Sequence, residues 1–240
     1  MDIISSLTII AFAALIHASF QLSVSVLTLL SGHAIGTKTA HVRLLRLTGG
    51  FVFGVAVMTL LVMSFTAFIF QQSFGTHVPL LAWAVGCGLL LGLGCAVWAF
   101  YYRREKGTSL WLPRGVARYL SERTKATKRS AEAFSLGLTS VVAELIFILA
   151  PIIVSSLVLI HLPAAWQLVG LALYTAVSLL SLLIVAGLIG SGHKLSQIQK
   201  WREHNKRFLQ FAAGSGLLVL GFYVYVDRVM TVTAFAHGGL

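Results

Sequence analysis

Negative charge is nearly missing from this chain. Only seven Asp and Glu stand among 240 residues, against eighteen Lys and Arg, and charged residues of both signs make up 10%. A soluble domain of this size carries about 25% charge, so a water-facing globule is excluded. Cysteine is scarce too. Cys87 and Cys95 share one apolar run eight residues apart, about 80° around a helix, a spacing that a disulfide cannot bridge. Proline occurs four times. No H-E-x-x-H, no paired intramembrane Asp and no G-x-S-x-G is present, so a protease or hydrolase has neither metal site nor nucleophile to build on. The chain is read as a non-enzyme.

What is abundant is apolar sequence, 58% of residues with a mean hydropathy of +0.89. Crossing a bilayer takes about 20 mostly apolar residues. Six runs qualify: Ile3 to Leu30, Leu47 to Phe70, Pro79 to Tyr102, Ala131 to Ile160, Ala164 to Gly190 and Phe208 to Met230. Their lengths fit helices rather than barrel strands. The expected fold is an all-α integral membrane protein with six transmembrane helices. The first, fourth and fifth runs exceed the minimum, which leaves room for tilt or a break. The start, Met-Asp-Ile-Ile, lacks a basic signal-peptide head, so the first run is expected to remain as a span.

The formal charge of +11 invites a nucleic-acid reading, but its placement argues for topology instead. Three Lys and Arg fall between runs 1 and 2, nine between runs 3 and 4, and five between runs 5 and 6. Those 17 lie on one side of a six-span chain and only Arg228 on the other. That is the positive-inside pattern, with both termini outside and a cell (inner) membrane location. The longest connection interleaves Trp111, Leu112, Val116 and Leu120 with Arg114, Arg118 and Arg123. A short amphipathic helix against anionic headgroups is expected there. No nucleic-acid partner is expected.

That connection divides the chain into residues 1–102, a first three-helix repeat; 103–130, the basic connection; and 131–240, a second three-helix repeat. Because three is odd, the second set runs through the membrane in the opposite sense, as in an inverted repeat. The small-residue pairs Gly50/Gly54 and Gly88/Gly92 are expected to pack helices within the chain, a homodimer face being the alternative.

Glu144 is the only carboxylate well inside an apolar run. An ionisable group at bilayer depth costs a few kcal/mol and is retained mainly where it faces a cavity and has a task. On its helix Ser140, Glu144, Pro151 and Ser155 share a narrow face, and on the first helix His17, Gln21, Ser25 and Thr28 do the same. Shifting by 123 residues lays Ser140 on His17 and Glu144 on Gln21. His17 and Glu144 belong near the same depth, where an imidazole and a carboxyl can share a proton. Pro151 removes a backbone donor and is expected to interrupt its helix. Tyr174, Ser178 and Ser181 offer hydroxyls on the fifth helix. No cofactor is expected: a bis-histidine haem needs two histidines at mid-depth, and only His17 qualifies.

Several stretches resemble the LysE superfamily of small membrane transporters, which includes LysE/RhtB exporters and thiol-electron carriers of the DsbD and CcdA type. Val26 to Gly36 is similar to that family's first cytoplasmic turn, Thr48 to Gly54 to its glycine-rich second helix, and Phe208 to Gly221 to its closing helix. The resemblance implies a small export-type carrier. Two departures stand out. His17-Ala18-Ser19 occupies the place of the exporters' Pro-Gly-Pro, so no break is expected in helix 1, and the carriers' cysteines in helices 1 and 4 are missing, which excludes thiol electron transfer. The function expected from the sequence is proton-coupled secondary transport of a small solute or cation. A non-transporting scaffold or assembly subunit and a metal-ion carrier are the alternatives.

Overall fold

A computed structural model describes residues 2–20, 22–32, 38–75, 77–101, 114–191 and 195–230. Every regular element among them is helical. In chain order these are α1 (Ile3–Ser19), α2 (Leu22–Gly32), α3 (Lys38–Phe74), α4 (Leu80–Ala96), α5 (Arg114–Ala126), α6 (Ser130–Leu159), α7 (Ala164–Ser178), α8 (Leu180–Gly190) and α9 (Leu195–Val224). Wider π turns extend α4 over Val97–Tyr101 and α9 over Tyr225–Met230.

Four helical stretches are long and apolar enough to cross a membrane: Val42–Phe74, Leu80–Ala99, Ser130–Leu159 and Arg207–Met230. A fifth forms if α7 and α8, bent by 49° to each other, count as one span. The protein is therefore a multi-pass helical membrane protein. The first apolar run folds as two helices, α1 of 17 residues and α2 of 11. Neither alone reaches the usual spanning length.

The fourth run is the hub. In α6, 72% of the apolar window is buried inside the protein, against 22–33% in the other three long spans. Helix α3 packs along α6, α4 along α9 and α1 along α7, and α1 also touches α6 and α9. Bilayer helices gain nothing from hiding oil from oil, so close approach of backbones has to hold them. The α3/α6 seam shows how. A Cβ on Gly54 would run into the Phe134 carbonyl, one on Gly137 would meet the Phe51 carbonyl and the Val55 nitrogen, and one on Gly50 would lie 2.7 Å from the Ser130 carbonyl. The expected packing role of Gly50/Gly54 holds. That of Gly88/Gly92 does not: both face open space, and it is Gly86, against Val154, and Gly94, against Leu218, that pack α4.

Two expectations about helix breaks are reversed. The first run breaks without a proline: α1 stops at Ser19, and Phe20 takes extended angles, φ −79° and ψ 116°. Pro151, conversely, lies inside an uninterrupted α6. At both observed breaks a serine hydroxyl donates to the carbonyl three residues back, Ser19 to Ile16 at 2.6 Å and Ser178 to Thr175 at 2.9 Å. Hydroxyls that bond carbonyls one turn back compete with the helical ladder and bend it. Tertiary contacts then hold the breaks open. The Phe20 ring stacks on Phe147 of α6 at 5.5 Å, and Ser181 at the start of α8 donates to the Ala18 carbonyl at 2.7 Å.

Candidate functional site

The two breaks meet at one small cavity. Its lining includes His17 and Phe20 from the α1 break, Ser178, Leu179 and Ser181 from the α7/α8 bend, Thr59 of α3, and Glu144 of α6. Helices α1, α3, α6 and the bent pair α7/α8 thus converge on it. The volume is about 10 Å³, close to the room needed for one water molecule.

Each polar group reaches the cavity for a local reason. Glu144 lies on the inward face of the most buried helix and is 2% exposed. His17 sits in the last turn of α1, also buried. Its Nδ1 shares a hydrogen bond of 3.1 Å with the Tyr174 hydroxyl of α7, and the two rings lie 5.7 Å apart. Tyr174 is fully buried behind the imidazole. Proton position along that bond decides the tautomer: with Tyr174 donating, the remaining N–H is on Nε2. Ser181 is engaged by the Ala18 carbonyl, one of the acceptors that the end of α1 leaves without an intrahelical donor.

Thr59 is the residue that the sequence reading missed. Its hydroxyl is fully buried, lines the cavity and has no hydrogen-bond partner among protein atoms. Buried hydroxyls are nearly always satisfied, and threonines in membrane helices usually bond their own backbone, as Thr66 does to Val62 at 2.8 Å. Spacing alone gives no signal for such an exception. The hydroxyls of Thr48, Ser155 and Ser215 are in the same state elsewhere, and what sets Thr59 apart is its place on the cavity wall.

The predicted site residues divide. His17, Glu144, Ser178 and Ser181 come together around the cavity, with Tyr174 one hydrogen bond behind. Ser140 does not join them: it is buried one helical turn before Glu144, where its hydroxyl donates to the Gly137 carbonyl at 2.8 Å beside the α3 seam. Pro151 is buried in α6 away from the lining. Thr28 donates to the Ser25 carbonyl at 2.8 Å within α2, beyond the break, so the stripe on the first helix is not one continuous face. Gln21 lies outside the described residues. Among those residues, no three His, Cys, Asp or Glu side chains gather as a metal site would need. Cys87 and Cys95 are both free thiols.

The fold and the cavity define a class, multi-pass helical membrane proteins with a polar interior site at interrupted helices. No protein-family model, curated protein or solved structure matches this chain.

Proposed function

We propose that this chain is a secondary transporter of export type, moving a small solute or cation and coupling that movement to protons through Glu144. The single observation that carries the reading is the meeting of two broken spans at a cavity holding Glu144, His17 and an unpartnered Thr59 hydroxyl. Interrupted membrane helices are tolerated where they line such a site, because backbone groups freed from the ladder find partners or ligands there. An ionised carboxylate at that depth costs a few kcal/mol. Its charge state is thereby tied to whatever enters the cavity.

The packing supports the inverted repeat. Taking α1 with α2 as the first span, and α3, α4, α6, α7 with α8, and α9 as the second to sixth, exchange of 1 with 4, 2 with 5 and 3 with 6 maps every major contact onto another. The pair of spans 2 and 4 maps to 5 and 1, the pair 1 and 6 maps to 4 and 3, and the pairs 3 with 6 and 1 with 4 map to themselves. A two-fold axis in the membrane plane produces that closure. In this arrangement 17 of the 18 basic residues share one side, which supports both termini lying outside. Rocking of one repeat against the other would expose Glu144 to each side in turn, His17 relaying its proton.

The rival reading is a scaffold, favoured by the fact that the His17–Tyr174 and Ser181–Ala18 bonds tie helices together. Glu144→Gln separates the two. In sealed vesicles carrying a pH-sensitive dye, the unmodified protein should dissipate an imposed proton gradient when a counter-gradient of the transported solute or cation is supplied, and the variant should not. Normal folding with every measured flux retained in the variant would end the transport reading.

A further inference from the structure

A second cavity is far larger than the central one. About 730 Å³ opens at the basic end of the bundle, between the start of α3 and the start of α6. Arg43 and Arg46 reach it from α3, and Lys128 and Arg129 from the residues leading into α6. Val42 and Leu47 supply an apolar wall, and no acidic side chain lines it among the described residues. The Glu132 carboxylate lines a separate cavity and accepts the backbone N–H groups of Lys128 and Arg129 at 2.7 and 3.2 Å. That also fixes the two cationic residues at a defined helix terminus.

Position and shape narrow the occupant. The apolar run of α3 begins at Leu47 and that of α6 at Ala131, so all four cations lie within about a turn of where the two apolar stretches start. Headgroups occupy that level. Just inside it the Gly50/Ser130 contact draws the helices together, closing the cavity toward the bundle, while Val42 on its wall stays exposed. Four cations on two facing elements exceed what one phosphate neutralises, and the volume lies in the usual range for a specific ligand pocket. Basic pockets between membrane helices suit multiply charged lipid heads.

We infer that the groove between Arg43/Arg46 of α3 and Lys128/Arg129 at the α6 start is a binding site for a lipid whose headgroup carries two phosphates. One phosphate lies against each pair of cations, and the acyl chains leave the groove along Val42. The lipid would bridge the two helices that pack most extensively.

The test uses purified full-length protein with three probes: a diphosphatidylglycerol lipid, phosphatidylglycerol, and soluble pyrophosphate. Retained lipid is counted by native mass spectrometry. The diphosphate lipid should outcompete phosphatidylglycerol on the unmodified protein, a comparison that needs no variant. Arg46→Gln and Arg129→Gln should each weaken retention about fivefold, the effect of one basic side chain at a membrane surface. Arg46→Lys should keep most of it, and Arg118→Gln, on exposed α5 outside the groove, should change nothing. Equal retention of both lipids, or unchanged retention in the two Gln variants, would overturn the proposal. Pyrophosphate binding as tightly as the lipid would assign the groove to a soluble polyanion instead.

Discussion

Ser181 donates its hydroxyl to the Ala18 carbonyl at 2.7 Å, a bond across 163 residues of sequence that joins the break after α1 to the bend between α7 and α8. Ser181→Ala leaves that carbonyl without the hydroxyl in a low-dielectric interior, at a cost of about 1–2 kcal/mol. Thermal unfolding in detergent should register the loss. Stability equal to the unmodified protein would mean that the two breaks hold themselves.

Tyr174 and His17 form the second tie. Tyr174→Phe keeps the ring contact at 5.7 Å and deletes only the hydroxyl, so about 1 kcal/mol should be lost. A His17→Phe/Tyr174→Phe double variant should lose less than the sum of the single variants, because each single one strands the other partner. Strict additivity in a double-mutant cycle would show that the bond contributes nothing.

At the α3/α6 seam, Gly54→Ala and Gly137→Ala each drive a methyl group into opposing backbone. Backbone cannot rotate away as a side chain does, so the penalty should exceed the usual 1–3 kcal/mol of overpacking and leave little folded protein. Gly92→Ala, in open space, should express and melt as the unmodified protein does.

Pro151 stands in an unbroken helix away from the cavity lining. Pro151→Ala should leave both folding and flux nearly unchanged, with stability within about 1 kcal/mol. Abolished flux with an intact melt would restore a functional role to this proline.

The proline reading failed for an instructive reason. A proline lacks its own N–H and crowds the preceding turn, yet α6 is clasped on several sides by α1, α3 and α4, and that packing keeps the helix straight enough to continue. The first apolar run broke where the sequence offered only His17-Ala18-Ser19-Phe20. Nothing local forbids a helix there, and the break is stabilised by Phe147 and Ser181 from distant parts of the chain. Thr59 escaped notice for the same kind of reason, since an unsatisfied hydroxyl is recognisable only once its neighbours are known.

The sequence by itself determined the membrane class, the long apolar helices, the clustering of basic residues between apolar runs and the burial of Glu144. These follow from transfer free energies that accrue residue by residue, so order along the chain is enough to read them. Tertiary structure alone decided which helices break, that both breaks meet beside Glu144, and which hydroxyl is left open in the cavity. Those outcomes depend on contacts between residues far apart in sequence, where a single hydrogen bond or a missing Cβ tips the balance between a continuous helix and an interrupted one.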